Sequence, residues 1–306
     1  MRPLTVLKNL RARRARIRRM DIRPGDLVLE VGSGHNPSPR ADVLCDRFLL
    51  DDTERNREGA LVDRPFAVGD IYALPFGSGS FDYVICSHVL EHLEDPARAA
   101  AELRRVAPRG YVEVPSRENE LLLPFPFHRW LIDWEDDALV FRTKERTVPD
   151  PGLRNWFGRV SAVAPGFLDF FLRKLHDLGN VHGVVWEGEL PVRMEGPPGP
   201  VEETATLLPP PVEVELLRER LPTMTTAPFK KKLLDRLATG ERRREPDILE
   251  LVACPVCGSH PMDPAGSKGE SGGTGSGPPA LLRCRGCARE YPLLEGGGRV
   301  IPYLIP

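Results

Sequence analysis

Val28-Leu29-Glu30-Val31-Gly32-Ser33-Gly34 is the stretch that decides how the rest of the chain is read. Its run is short and, but for the acid Glu30, apolar, as in a parallel strand buried on both faces, and it leads into two glycines one residue apart. A glycine there lets the backbone turn sharply and approach a ligand, because no Cβ intervenes. Gly-x-Gly alone marks many ordinary turns, so the weight falls on the residues beyond it. Asp42-Val43-Leu44-Cys45-Asp46 predicts a second strand closed by an acid, and Phe66-Ala67-Val68-Gly69-Asp70 predicts a third. Residues 81–86 predict a fourth, which runs into Ser87-His88-Val89-Leu90-Glu91-His92. Asp95-Pro96 opens an Ala/Leu/Arg-rich helix, with proline at the first turn, and residues 109–114 predict a fifth strand.

Acids at successive strand ends are what an adenosine-bearing ligand needs. Carboxylates accept hydrogen bonds from ribose hydroxyls, and ligands of open α/β sheets lie beyond the carboxyl ends of the strands. Residues 21–116, and more loosely 117–195, resemble the class I S-adenosylmethionine-dependent methyltransferases. The likeness is carried by Glu30-Val31-Gly32-Ser33-Gly34 and by Ser87-His88-Val89-Leu90-Glu91-His92-Leu93. The second phrase is similar to the small-molecule and tRNA-modifying branch of that superfamily, as is Leu74-Pro75-Phe76 with Ser80-Phe81-Asp82.

That resemblance implies an α/β fold, a Rossmann-like sheet with helices on both faces, and S-adenosyl-L-methionine as cofactor. It implies a cofactor set of Glu30, Gly32, Ser33, Gly34, Asp46, Asp70, Ile71, Ser87 and His88. Asp46 would take the ribose diol, with Asp51 and Asp52 as rivals. Asp70 would accept from the adenine amine while Ile71 packs on the ring. Ser87 and His88 would stand beside the sulfonium methyl, with His88 either a general base or a wall of the pocket. The plain alternatives are a surface acid for each aspartate and a hydrogen-bonded core ring for His88. Glu91, His92 and Asp82 read as structural. One departure is His35-Asn36-Pro37-Ser38-Pro39, where the family normally starts a helix. Two prolines within three residues preclude one, so a loop is expected there. No Asn-Pro-Pro-Tyr phrase comes after the fourth strand, which lowers the expectation of a planar-nitrogen acceptor.

With 306 residues, the chain is long enough for one sizeable domain plus something smaller. Hydrophobic residues make up 41% and charged residues 28%, the balance of a globular protein. A net charge of −2 argues against polyanion binding by bulk charge, and no apolar run approaches a membrane span. Six cysteines, two of them (Cys45 and Cys86) in apolar strands, fit a reducing cytoplasm. Residues 1–20 carry Arg2, Lys8, Arg11, Arg13, Arg14, Arg16, Arg18 and Arg19 and no acid. They form either a solvated basic helix or a patch that tracks RNA phosphates.

Past the fifth strand, Pro124-Phe125-Pro126-Phe127-His128-Arg129-Trp130 gathers aromatics, a histidine and an arginine where class I enzymes build substrate walls. His128 is a second candidate base and Arg129 a candidate for an acidic substrate group; the alternative is a packed loop with a satisfied histidine. Residues 130–134 and 138–142 predict a β-hairpin, residues 165–178 an amphipathic helix, and residues 180–186 with 190–194 a last antiparallel hairpin. The methyltransferase-like domain is placed at 21–195. A proline-rich linker with helical pieces, including residues 230–237, spans 196–247.

Cys254-Pro255-Val256-Cys257 and Cys284-Arg285-Gly286-Cys287 are two Cys-x-x-Cys knuckles with 26 residues between them. Two such knuckles close a tetrahedral four-thiolate zinc site with no open position, so a zinc ion there is structural. Its binding supplies folding free energy on the order of 10 kcal/mol to a module with little core of its own. Residues 250–306 resemble the small zinc-ribbon activator that partners tRNA, rRNA and release-factor methyltransferases, which sets a second domain at 248–306. That resemblance implies packing on the methyltransferase-like part in cis, and tRNA or a translation factor as acceptor. A small-molecule acceptor and a non-catalytic RNA- or nucleotide-binding adaptor remain as the other readings.

Overall fold

A computed structural model describes residues 17–49, 60–122, 124–145, 181–201, 244–265, 281–296 and 298–306, with residues 14, 159, 163 and 239 as isolated positions. Most of the basic N-terminal segment, Asp51 and Asp52, the expected helix at 165–178 and most of the proline-rich linker lie outside the described residues.

The centre is a parallel sheet of β1 (Val28–Val31), β2 (Val43–Asp46), β3 (Phe66–Gly69), β4 (Tyr83–Ser87) and β5 (Arg109–Pro115). The spatial order is β3-β2-β1-β4-β5. The chain therefore leaves β1 in one direction to β2 and β3, and in the other to β4 and β5. That reversal between β1 and β4 is the switch point of a Rossmann-like fold, where a crevice opens beyond the carboxyl ends of the strands. All four residues of β1 are buried. Leu29 and Val31 pack in one cluster with Val84, Cys86 and Val112 and with Ala99, Ala100 and Leu103 of α1 (Pro96–Val106). Val28 packs in another with Met20, Tyr83, Ile85 and Tyr111. Asp95 caps α1, its carboxylate accepting from the Arg98 amide at 3.0 Å.

Residues 32–42 form turns and no helix, as the prolines require. What stiffens this loop is the segment beside it. Arg64 is buried and paired with Asp63 at 2.7 Å. Its guanidinium also donates to the Ser38 and Ala41 carbonyls at 2.9 and 2.7 Å, and the Leu61 amide donates to Gly34 O at 2.9 Å.

The sheet extends at both ends. β8 (Val181–Glu187) pairs antiparallel with β5 through Arg109↔Glu187 to Pro115↔Val181. Beside it stands a separate three-stranded sheet of β6 (Trp130–Glu135), β7 (Ala138–Thr143) and β9 (Val192–Glu195). The β6–β7 hairpin is as expected. The expected second hairpin is not formed: β8 pairs with β5, and β9 runs parallel to β7. Both strands form, but each pairs outside the expected hairpin.

At the other end, β10 (Asp263–Ala265), β11 (Leu281–Arg283), β12 (Glu290–Gly296) and β13 (Arg299–Leu304) form an antiparallel ribbon. β13 then pairs parallel with β3, Tyr303↔Val68 and Leu304↔Gly69, so the ribbon and the central sheet become one ten-stranded sheet. Ile301 and Tyr303 bury themselves against Leu44, Phe66 and Val68. A second join is made by a bridge between Phe76 and Val252 and by the Ala253 amide donating to Pro75 O at 2.9 Å. The cysteine-bearing segment is thus fastened to the central sheet by backbone pairing as well as by side-chain packing.

This packing sets the cost of two substitutions. Arg64→Met should lower the free energy of unfolding by about 3–5 kcal/mol, because it removes one partner of a buried ion pair. Ile301→Ala should lower it by about 2–5 kcal/mol, the cost of emptying a packed aliphatic site. Urea unfolding followed by circular dichroism checks both, with an exposed Arg193→Lys control expected near zero.

Candidate active site

The turn after β1 is held by β2. Gly32 N donates to Cys45 O at 2.8 Å, and Gly34 N donates to Asp46 Oδ2 at 2.9 Å. Gly32 and Gly34 have φ of +69° and +51°, in the left-handed region that favours glycine. A Cβ on Gly32 would stand 2.2 Å from Val89 Cγ2, so this turn and the segment after β4 approach as closely as only glycine permits.

Around that turn the expected cofactor residues come together. Asp46 accepts from Gly34 N and, on its other oxygen, from Phe48 N at 2.9 Å. Asp70, just past β3, pairs with Arg47 at 2.6 Å and accepts from Tyr72 N, while Ile71 is buried beside it. Glu30 is buried within β1 and accepts from Ser38 N at 2.6 Å, which ties it to the proline loop. Ser33 lies two residues past β1 and Ser87 ends β4, on either side of the switch point, and the hydroxyl oxygen of each is buried with no hydrogen-bond partner. Asp82 accepts from Leu27 N at 2.8 Å and stitches β1 to β4.

His88 comes directly after β4 with φ +55°, an uncommon conformation for a residue with a Cβ. Its ring lies between two carboxylates, with Nδ1 3.3 Å from Glu91 Oε1 and Nε2 3.3 Å from Glu113 Oε1. Desolvation of the ring opposes protonation, but the bonds to Glu113 and Glu91 outweigh it and push the pKa up to about 10. The two flanking carboxylates thus favour the imidazolium form, whose two N–H groups donate to them. Glu91 is fully buried. Burial would raise its pKa, yet His88, with His92 and His128 nearby, holds the carboxyl below its usual range.

His128 is also buried. Its Nδ1 lies 2.5 Å from Glu120 Oε2, and Glu120 takes Lys144 Nζ on its other oxygen at 2.5 Å. The ring stands edge-on to His92, centroids 4.8 Å apart. This brings the aromatic loop at 125–130 onto the Leu90–His92 turn, where Arg129 N donates to Glu91 O at 2.9 Å and Trp130 Nε1 to Leu93 O at 2.8 Å. Arg129 itself donates to the His92 and Gly199 carbonyls and pairs with Glu94. The two candidate bases are thus set in one chain of carboxylates and imidazoles. Sequence reasoning missed Glu113 and Glu120. For Glu113 a signal existed: it is the one acid in the wholly buried strand β5.

In the C-terminal ribbon the four knuckle thiols converge. Cys254 Sγ lies 3.6 Å from Cys287 Sγ, Cys257 Sγ lies 3.3 Å from Cys284 Sγ, and the four sulfurs stand within 4.8 Å of one another. None forms a disulfide. The Gly286 and Cys287 amides donate to Cys284 Sγ, as in a knuckle built for thiolates. Hydrogen bonds from Ser259 bring the Cys257 thiol down to about 6. This donor set matches one tetrahedral ion.

Residues 29–113 match the family described as "Methyltransferase domain". The chain is similar to an uncharacterized methyltransferase of Schizosaccharomyces pombe, at 52% identity over 138 residues, covering 39% of this chain and 48% of that protein. It is similar to a demethylmenaquinone methyltransferase of Renibacterium salmoninarum, at 36% identity over 108 residues, covering 33% of this chain and 46% of that one. A solved complex of the Haloferax volcanii Trm112 methyltransferase activator with its methyltransferase matches over 37% of this chain and 54% of that one, at 24% identity and a TM-score of 0.28. The chain spans under half the length of these curated relatives. Its central sheet is a Rossmann-like methyltransferase fold.

Proposed function

We propose that this protein is an S-adenosylmethionine-dependent methyltransferase of the cytoplasm, that its C-terminal ribbon carries a structural zinc ion, and that its acceptor is tRNA or another translation component. The observation that supports the enzymatic reading is the pair of buried, partnerless hydroxyls of Ser33 and Ser87 at the switch point, with Asp46 and Asp70 at the carboxyl ends of β2 and β3. Buried polar atoms without partners cost free energy and are characteristic of ligand sites. In this reading Gly32, Ser33 and Gly34 meet the methionine part of the cofactor, with Glu30 bracing the turn from behind. Asp46 accepts from the ribose hydroxyls, Asp70 from the adenine amine, and Ile71 packs on the ring.

The cofactor supplies an activated methyl group; the protein aligns the acceptor with it and excludes water. His88, half-exposed and with both ring nitrogens held by Glu91 and Glu113, forms a wall of the pocket. His128 is assigned a positioning role, since Glu120 holds its ring and little of it is exposed. The acceptor class is supported by the resemblance of residues 250–306 to the activator of translation-related methyltransferases. A second reading, a small-molecule acceptor, is favoured by the likeness to demethylmenaquinone methyltransferase.

Calorimetric titration with S-adenosylmethionine and its demethylated product tests the cofactor. Binding is expected, and Asp46→Asn should weaken it by roughly ten- to a hundredfold, the worth of a hydrogen bond to a charged group. An absence of heat in folded protein would sink the methyltransferase assignment. Labelled-methyl transfer onto fractionated extract should mark RNA or protein; label in the metabolite fraction favours the second reading, and binding without transfer favours an adaptor.

Gly32→Ala should cost about 1–3 kcal/mol of stability through its left-handed backbone alone. The clash with Val89 comes on top of that and is relieved in the Gly32→Ala, Val89→Ala double variant; urea unfolding of the three variants separates the parts. Elemental analysis should find one zinc per chain, lost in Cys257→Ser together with a lowered melting temperature.

A further inference from the structure

We propose that Glu91, His92 and His128 bind a single divalent transition-metal ion at a site distinct from the cysteine cluster. Each residue offers one ligand atom, and the three atoms lie within 4.8 Å of one another, close enough to share one ion. His92 Nε2 stands 4.0 Å from Glu91 Oε1.

Three further observations support a site rather than a chance meeting of side chains. The Glu91 side chain is fully buried, and while Oε1 is engaged by His88, its Oε2 has no hydrogen-bond partner. A buried carboxylate oxygen left bare is the atom a cation would satisfy. His128 is oriented from behind: Glu120 holds Nδ1, and Lys144 holds Glu120. That leaves Nε2 as the nitrogen available to an ion, and a carboxylate behind an imidazole is the outer-shell arrangement that fixes the tautomer and raises the basicity of metal-binding histidines. The ligands are also positioned by backbone. The bonds from Arg129 and Trp130 to the carbonyls of Glu91, His92 and Leu93 lock the loop that carries His128 onto the turn that carries the other two.

The donor set selects the ion. Two imidazoles and one carboxylate suit Mn2+, Fe2+, Co2+ or Zn2+, whereas Mg2+ and Ca2+ prefer oxygen ligands throughout. Three protein ligands leave coordination positions open, unlike the closed four-thiolate set. The open side is the flank of His92, the one partly exposed member. The segment is continuous with Ser87 and His88, so an ion there would stand next to the switch-point mouth. In that place it would bind an acceptor through a hydroxyl or phenol oxygen and lower that oxygen's pKa.

Metal binding to the full chain tests this without recourse to methyl transfer. The protein is first given one equivalent of zinc, which the four thiolates take, and desalted. It is then titrated with Co2+, with bound metal counted by equilibrium dialysis and elemental analysis. One Co2+ per chain beyond the zinc is expected, with visible d–d bands and no thiolate charge-transfer absorption. Glu91→Gln and His92→Gln should each weaken that binding at least roughly tenfold, the loss that even an outer-shell change brings, with zinc content and circular dichroism unchanged. His92→Gln, at the partly exposed position, keeps the test decisive if Glu91→Gln fails to fold. The proposal falls if the folded wild type takes up no further Co2+, if charge-transfer absorption puts the ion on the thiolates, or if the folded variants bind as the wild type does.

Discussion

The Gly32-Ser33-Gly34 turn rests on hydrogen bonds to β2, from Gly32 N and Ser33 N to Cys45 O and from Gly34 N to Asp46 Oδ2. Those bonds fold the chain back within three residues of β1 and lay the loop between β1 and β2 beyond the sheet. At the same turn Val89 stands where a Cβ on Gly32 would lie, so the segment after Ser87–His88 sits close against the end of β1. Everything proposed for the switch point depends on that closeness. A side chain at Gly32 would push the exit of β4 away from the turn.

The loop itself shows how a missing element is replaced. Where the prolines forbid a helix, Arg64 reaches two loop carbonyls from below and carries Asp63 with it as a counter-ion. A buried pair of this kind seldom adds much stability over an apolar equivalent. What it supplies here is a set of directed bonds to carbonyl groups that a helix would otherwise have satisfied internally.

Legibility from sequence tracked the range of the forces involved. The strands β1 to β5, the absence of a helix after Gly34, the cap at Asp95 and the β6–β7 hairpin are local, set by periodicity and by proline and turn chemistry, and each was readable. The knuckle cysteines were readable because their spacing is itself a chemical requirement. The partners of β9 and β13 were not, since both pair with strands far away in sequence, and any apolar strand of the right length would have looked the same. The His88–Glu113 and His128–Glu120 contacts were hidden for a related reason. A histidine's partners are set by tertiary packing, and both carboxylates come from other elements.

The ribbon's union with β3 also bears on how this protein is made. β3 occupies an edge of the parallel sheet until β13 arrives, and β13 is the last of the described elements to leave the ribosome. During synthesis the nascent sheet therefore carries a row of unpaired amides and carbonyls beside Phe66 and Val68, open to strand exchange with a neighbouring chain. Cellular yield should accordingly depend on chaperone cover in that interval as well as on the stability of the finished molecule.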